Sequence, residues 1–396
     1  MNDDDAPARV SFNRLGPFYR LQRRLGLLSD TDLAAGRRAL AFVAVAWLPG
    51  LALALLRGGF AGEQGGAGIL LDFSTYAFAL ALAAFVLMEQ SSDRRMIALV
   101  GEFEARGIVR DAARSGLARA RRDMERRTGS WLVEGLIGVA AYALSYEWLR
   151  SAAARQTDRE AWFGGLTAGA LELTPAGWWA LLVALPLYRF LFGRWLWRFV
   201  TWGLMLRDIA RCELRLVATH PDRCGGLAFI GQYPKTYVLF VFAVSTVVSA
   251  TVLKLVVHGG ASLASFKFAL LGMVAFFALA FVVPLLVFTP VLVALKRRGL
   301  SRYGALMSQH NLAFEARWLP DAAVEPGSEL LGAPDGSSLA DLAAGYDLVK
   351  NMQAVPVTKE SVAPIVLAAV APLAAVAATQ VPFSQVFGAV KSLLLP

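Results

Sequence analysis

Histidine is scarce in this chain. Only His220, His258 and His310 occur in 396 residues, and Cys212 and Cys224 are the two cysteines. Numbers that low exclude a cysteine-rich zinc scaffold and a disulfide framework. Charge is also short, at 17% against about 25% in soluble domains. That deficit argues against a soluble globular enzyme and against a disordered chain. No Gly-x-Ser-x-Gly elbow, P-loop or His-Glu-x-x-His string is present, so no common hydrolase, nucleotide or zinc signature is available. No cofactor motif and no metal-ligand pattern is seen. The first residues, Met1-Asn2-Asp3-Asp4-Asp5, are acidic and the first apolar run lies well beyond them, so no cleavable leader is expected.

Apolar residues fill the gap, at 57% of the chain. A membrane-crossing helix needs about 20 of them in succession. Seven stretches qualify: 39–56, 69–88, 131–149, 176–193, 236–257, 268–295 and 362–379. The last is the weakest, being alanine-rich with Pro364 and Pro372. The expected fold is an all-α polytopic membrane bundle of about seven transmembrane helices with helical cytoplasmic extensions. Its expected parts are a cytoplasmic amphipathic arm (1–38), a six-span bundle (39–319) with cytoplasmic helical loops at 89–130 and 194–235, an acidic loop with a short helix (320–361), and a seventh span with a tail (362–396).

Basic residues orient these spans. With the N-terminus in the cytoplasm, 32 of the 39 lysines and arginines fall inside. The seven outside are Arg57, Arg150, Arg155, Arg159, Lys254, Lys267 and Lys391. The net charge of +9 is thereby explained as topology, and nucleic acid is not expected as a partner. Both cysteines fall on the reducing side.

The cytoplasmic segments differ from one another. In the arm, Phe12, Leu15, Phe18, Tyr19, Leu25 and Leu28 alternate with Arg14, Arg20, Arg23 and Arg24, which suits a helix in the headgroup layer. Residues 89–130 read as an extension of the second span that turns back. There Arg119, Arg121, Arg122, Arg126 and Arg127 form a polybasic cluster, a candidate site for anionic lipid of the bilayer. Beyond the fourth span, Arg207, Arg211 and Arg215 repeat every four residues, as on one helical face. The 320–361 loop is acidic, with Asp321, Glu325, Glu329, Asp335, Asp341, Asp347 and Glu360. Pro334-Asp335-Gly336 reads there as a turn, and Ser338 with Asp341 as the cap opening a helix. That loop is expected to dock on the basic face through Asp341 and Asp347.

The most distinctive string is Thr219-His220-Pro221-Asp222-Arg223-Cys224-Gly225-Gly226-Leu227. Proline ends a helix and two glycines permit a sharp turn. His220 and Asp222 have the types of a base and its orienting acid, or of metal ligands. His220, Pro221, Asp222, Gly225 and Gly226 are therefore the candidate functional loop, with a capped turn as the structural alternative. Together with the Arg-Cys-Glu-Leu-Arg-Leu lead-in, Ser338-Leu339-Ala340-Asp341-Leu342 and Val355-Pro356, the string resembles a group of uncharacterised bacterial multi-pass membrane proteins. That resemblance implies a bacterial inner-membrane location and a fold type, and no catalytic residue. His-Pro-Asp is also found in chaperone J domains, but a membrane span follows it here.

Ionisable residues in spans are functional candidates by default. Asp72, Glu147, Lys254, His258 and Lys267 fall near outer span ends, and Glu134 and Arg189 near inner ends. Snorkelling accounts for these positions, with Asp72 or Glu147 as a partner for Lys254. Breaks at Pro49-Gly50, Pro186, Pro284 and Pro290, and a polar patch at Ser245, Thr246 and Ser249, could line a path. The leading expectation is a non-enzymatic role, either small-solute or ion translocation or a membrane scaffold. The alternative is an enzyme at the cytoplasmic interface that uses His220 and Asp222.

Overall fold

The computed structural model describes residues 15–28, 34–56, 68–70, 72–110, 114–154, 162–257, 260–319 and 334–378. Phe12, Arg14, His258, Asp321, Glu325, Glu329, Lys391 and the end of the seventh span lie outside the described residues, as do Arg57, Arg155 and Arg159. The helices are α1 (Pro17–Arg24), α2 (Ala35–Leu56), α3 (Phe73–Ala105), α4 (Arg114–Thr128), α5 (Trp131–Ala154), α6 (Pro175–Trp179), α7 (Leu185–Ala210), α8 (Val238–Val257), α9 (Lys267–Ala280), α10 (Thr289–Trp318), α11 (Pro334–Lys350) and α12 (Lys359–Ala378). An antiparallel hairpin, β1 (Gly164–Thr167) with β2 (Ala170–Leu173), joins α5 to α6. The fold is all-helical apart from that hairpin.

Among the described residues, six helical segments are long and apolar enough to cross a membrane: Ala35–Leu56, Phe73–Ala105, Pro175–Ala210, Ala228–Val257, Leu263–Trp318 and Lys359–Ala378. The sequence reading gives seven. The difference is α5, a 24-residue helix in which Glu134, Glu147 and Arg150 dilute the apolar run. α3 sits centrally, packed on α2 and α8, with α12 against α8 and both α4 and α5 against α7. Asp72 caps α3 by accepting the Ser74 N–H at 3.1 Å. The 33 residues of α3 are about 50 Å long. That exceeds the roughly 30 Å hydrocarbon core, so its charged second half runs on beyond it.

The proline breaks are answered from neighbouring helices. Pro49 cannot donate to the Val45 carbonyl, and the Trp179 indole N–H donates to it instead at 3.1 Å. Pro186 likewise frees the Leu182 carbonyl, which accepts the Tyr142 hydroxyl at 3.1 Å. The chain there forms a π-turn over Ala180–Ala184. The Tyr233 hydroxyl bonds the Phe281 carbonyl, the 3-10 acceptor that Pro284 leaves free, and the Ser245 hydroxyl separately ties α8 to α12 at the Ala369 carbonyl.

Several expectations need correction. The sixth stretch is not one helix: α9 ends at Ala280, a 3-10 turn covers Val283–Phe288, and Pro290 lies in the first turn of α10, where a missing N–H costs nothing. Ser245 faces α12 rather than a path, and the Thr246 hydroxyl bonds back to Phe242 at 2.8 Å. α7 stops at Ala210, so Arg211 and Arg215 leave the helical face. Arg215 N–H then donates to Ile108 at 2.7 Å in an extended pairing. Pro334-Asp335-Gly336 is the first turn of α11, not a separate turn, because proline suits N1 and Asp335 suits the positive helix end. Asp335 makes the docked ion pair, 3.0 Å from Arg317 on α10, while Asp341 and Asp347 are exposed. The polybasic cluster divides along α4. Arg119, Arg122 and Arg126 are exposed, whereas Arg121 pairs with Glu104 at 3.5 Å and Arg127 with Asp208 at 3.0 Å.

Candidate functional site

The Thr219–Leu227 string folds as a carboxylate-centred turn. Arg223, Gly225 and Gly226 take positive φ values of 57°, 65° and 100°, which turn three backbone N–H groups toward Asp222. Its Oδ1 accepts from Cys224 at 2.8 Å and Gly226 at 3.1 Å, and its Oδ2 accepts from Ala228 at 3.0 Å. His220 Nδ1 lies 2.8 Å from Oδ1. Burial alone would raise the Asp222 carboxyl, but these N–H groups and His220 outweigh it and hold it below the usual carboxylate range. Pro221 places the turn, and both glycines serve its positive φ. Gln353 N–H donates to the Arg223 carbonyl at 2.8 Å, and a Cβ on Gly231 would meet the Pro356 carbonyl at 2.5 Å. The turn and the residues just after it therefore pack on the 353–356 segment. Cys212 is half-buried, Cys224 is buried and both are free. Burial pushes the Cys224 thiol up to about 11, with Asp222 adding to it. Among the described residues no three His, Cys, Asp or Glu side chains gather as a metal site.

A second centre, absent from the sequence reading, lies where α1 meets the bundle. Glu89 on α3 is buried among arginines from two other helices. Arg38 of α2 reaches it at 2.6 Å, Arg198 of α7 at 3.2 Å and Arg194 at 3.7 Å. Arg194 Nε also meets Glu134 of α5 at 3.1 Å. The arm closes the cluster: Phe18 N–H donates to Glu134 at 2.9 Å, Arg38 donates to Gln22 at 2.8 Å, and the Arg194 guanidinium stands 4.8 Å from the Phe18 ring. So α1 is anchored to the bundle.

At the opposite end Asp72 and Lys254 pair at 3.0 Å, one of the two pairings foreseen. Trp162 Nε1 donates to the same carboxylate at 3.1 Å. Asp72 and Glu89 are 17 residues apart on α3, about 25 Å, close to the hydrocarbon thickness. Reading down α3 from Asp72 gives the layers between them. Phe78, Ala79 and Leu82 line a cavity of about 60 Å³. Phe85 then joins Tyr188, Phe192 and Phe240 in a ring stack with centroids 5.5–6.4 Å apart. Glu89 follows one turn later.

The cavity has room for about four to six waters. Its walls are apolar and include Trp47, Trp148, Trp162 and Trp179. Both broken helices face it, α2 at Gly50 and the π-turn at Ala180 and Ala184. Gly50 matters for that approach, because a Cβ there would meet the Trp179 ring at 3.4 Å. Asp72 is spent on Lys254, Trp162 and its own helix cap, so the cavity is electrically neutral at that end.

Arg189 lies beside it. Its Nη1 donates to Ser145 Oγ on α5 at 3.2 Å, and its guanidinium stands 5.8 Å from the Trp148 ring. α5 and α7 run antiparallel, with Glu134 beside Arg194. Ser145 is 11 residues beyond Glu134 toward the Asp72 end, so Arg189 points away from the Glu89 cluster. His310 contacts Ser338 at 3.4 Å, outside all three centres.

Comparison with protein families, curated proteins and solved structures finds no match to the chain.

Proposed function

We propose that the chain is a multi-pass membrane protein that binds a small, mainly apolar molecule in its outer-half cavity and passes it on without chemical change. Seven spans, a cytoplasmic N-terminus and an inner-membrane location in a bacterium belong to this reading. α5 supplies the seventh span: Leu132, Leu136, Val139 and Leu144 form an exposed apolar face suited to lipid. The positive-inside count supports the orientation, and the exposed Arg119, Arg122 and Arg126 are its contact with anionic lipid.

The observation that carries the reading is the cavity, set within the spans and walled by two proline-broken helices. Broken helices and π-turns recur at binding sites in membrane bundles. Aromatic walls with a carboxylate would suit an organic cation, but Lys254 already neutralises Asp72, so a neutral ligand fits better. The ring stack of Phe85, Tyr188, Phe192 and Phe240 closes the cavity from the inner side, which makes this an outward-facing state. Titrating purified protein with 4-bromobenzyl alcohol tests it, because four tryptophans border the cavity and bromine quenches them. Saturable quenching is expected. A linear, unsaturable response would sink the reading.

The contact between His220 Nδ1 and Asp222 favours a second reading, an enzyme at the cytoplasmic face with His220 as base. Against it, Asp222 is committed to three backbone N–H groups, as a structural turn requires. Metal bound stoichiometrically by wild type and lost in His220→Ala would support the enzyme.

A further inference from the structure

The geometry points to a carboxylate-sized acid group on the ligand, held by Arg189. This rests on the cavity reading only for the ligand's apolar body. Four cations packed among the spanning helices show one way this bundle treats charge. Arg38, Arg194 and Arg198 each lie within 3.7 Å of Glu89, and Lys254 lies 3.0 Å from Asp72. Arg189 departs from that pattern. Among the described residues it has the Ser145 hydroxyl and the Trp148 ring, and no carboxylate within ion-pair distance.

A guanidinium kept among spanning helices is costly without a counter-charge, and one neutral hydroxyl supplies none. Ser145 is itself oriented for the role. Its hydroxyl donates to the Ala141 carbonyl at 2.6 Å, leaving an oxygen lone pair for Arg189. That fixes one edge of the guanidinium and leaves its other N–H groups for an incoming acid, in the forked geometry carboxylates and phosphates prefer.

The cavity supplies the rest of the ligand. Trp148 borders both the cavity and the guanidinium, and Tyr188, the residue before Arg189, lines the cavity wall. The ligand is therefore an amphiphilic monoanion, with its apolar body among the tryptophans and its acid group on Arg189.

Matched quenchers test this on the whole protein: 4-bromobenzoate, ionised at neutral pH, against 4-bromobenzyl alcohol. Wild type is expected to bind the benzoate at least about tenfold more tightly. Arg189→Gln should abolish that preference and leave the alcohol affinity unchanged, and Arg189→Lys should retain part of it. Equal affinities in wild type would overturn the acid site while the cavity stands. Arg189→Gln weakening both probes alike would reduce Arg189 to a structural role and also overturn it. Saturable quenching by neither probe would remove the cavity reading itself. Nanodiscs then identify the natural source. Benzoate binding lost when phosphatidylglycerol replaces phosphatidylcholine supports the acid site with a phospholipid head group as its occupant. Binding unchanged by that exchange supports it with a free amphiphilic acid.

Discussion

Where α1 meets the bundle, three guanidinium groups, two carboxylates and an amide share one packed volume around Glu89. About 7.5 Å along α7, Arg189 stands near a cavity with a hydroxyl and an indole ring for company. The first arginines are buried against carboxylates, whereas Arg189 is half-buried and has none within ion-pair distance among the described residues. The Glu89 cluster ties α1, α2, α3, α5 and α7 together, and the proposed binding region is the other end, with its broken helices and void.

The sharpest way to break this contrast is Glu89→Gln. It would remove the carboxylate that Arg38, Arg194 and Arg198 share, and a loss of about 3–5 kcal/mol is expected, read as thermal or denaturant unfolding in detergent. A loss below about 1 kcal/mol would mean that the cluster is not structural. Asp222→Asn comes next, at about 1–3 kcal/mol, because three backbone donors lose a charged acceptor. The acid response sharpens it. Asp222 titrates below its ordinary value, so its contribution is complete above the unfolded pKa near 4. It is lost as pH falls through the lower folded value. The variant should lack that step in an acid titration followed by circular dichroism. Trp179→Phe would leave the Val45 carbonyl without its donor and should cost about 1 kcal/mol, with a small loss of 4-bromobenzyl alcohol affinity. Asp335→Lys should cost less, about 0.5–1 kcal/mol for a partly exposed pair. Asp341→Lys and Asp347→Lys should stay within about 0.5 kcal/mol, since both side chains are exposed.

The membrane-compatible helices were legible because each apolar run carries its own signal. The Glu89 cluster was not, for a definable reason. Spans drawn to stop at charges end beside Arg38, Glu89 and Arg194, which sets all three in water by construction. In the folded chain the helices run through those positions and neighbouring elements cover them. One signal was available, Arg194 and Arg198 at helical spacing next to an acid flanking another span. The proline breaks were visible as prolines, but the donors that answer them, Trp179, Tyr142 and Tyr233, lie 40 to 134 residues away in sequence. The His220 loop was legible as a tight turn, and the contact of its string with Val355-Pro356 required the fold.

The most direct test of the proposed cavity site is photo-crosslinking with a diazirine analogue of benzyl alcohol, mapped by mass spectrometry of the whole chain in nanodiscs. Labelling is expected on Trp47, Phe78, Trp148 and Tyr188, competed by excess 4-bromobenzyl alcohol. Labelling concentrated on residues 219–227, or spread over the lipid-facing side of α9 without competition, would contradict the outer cavity as the functional site.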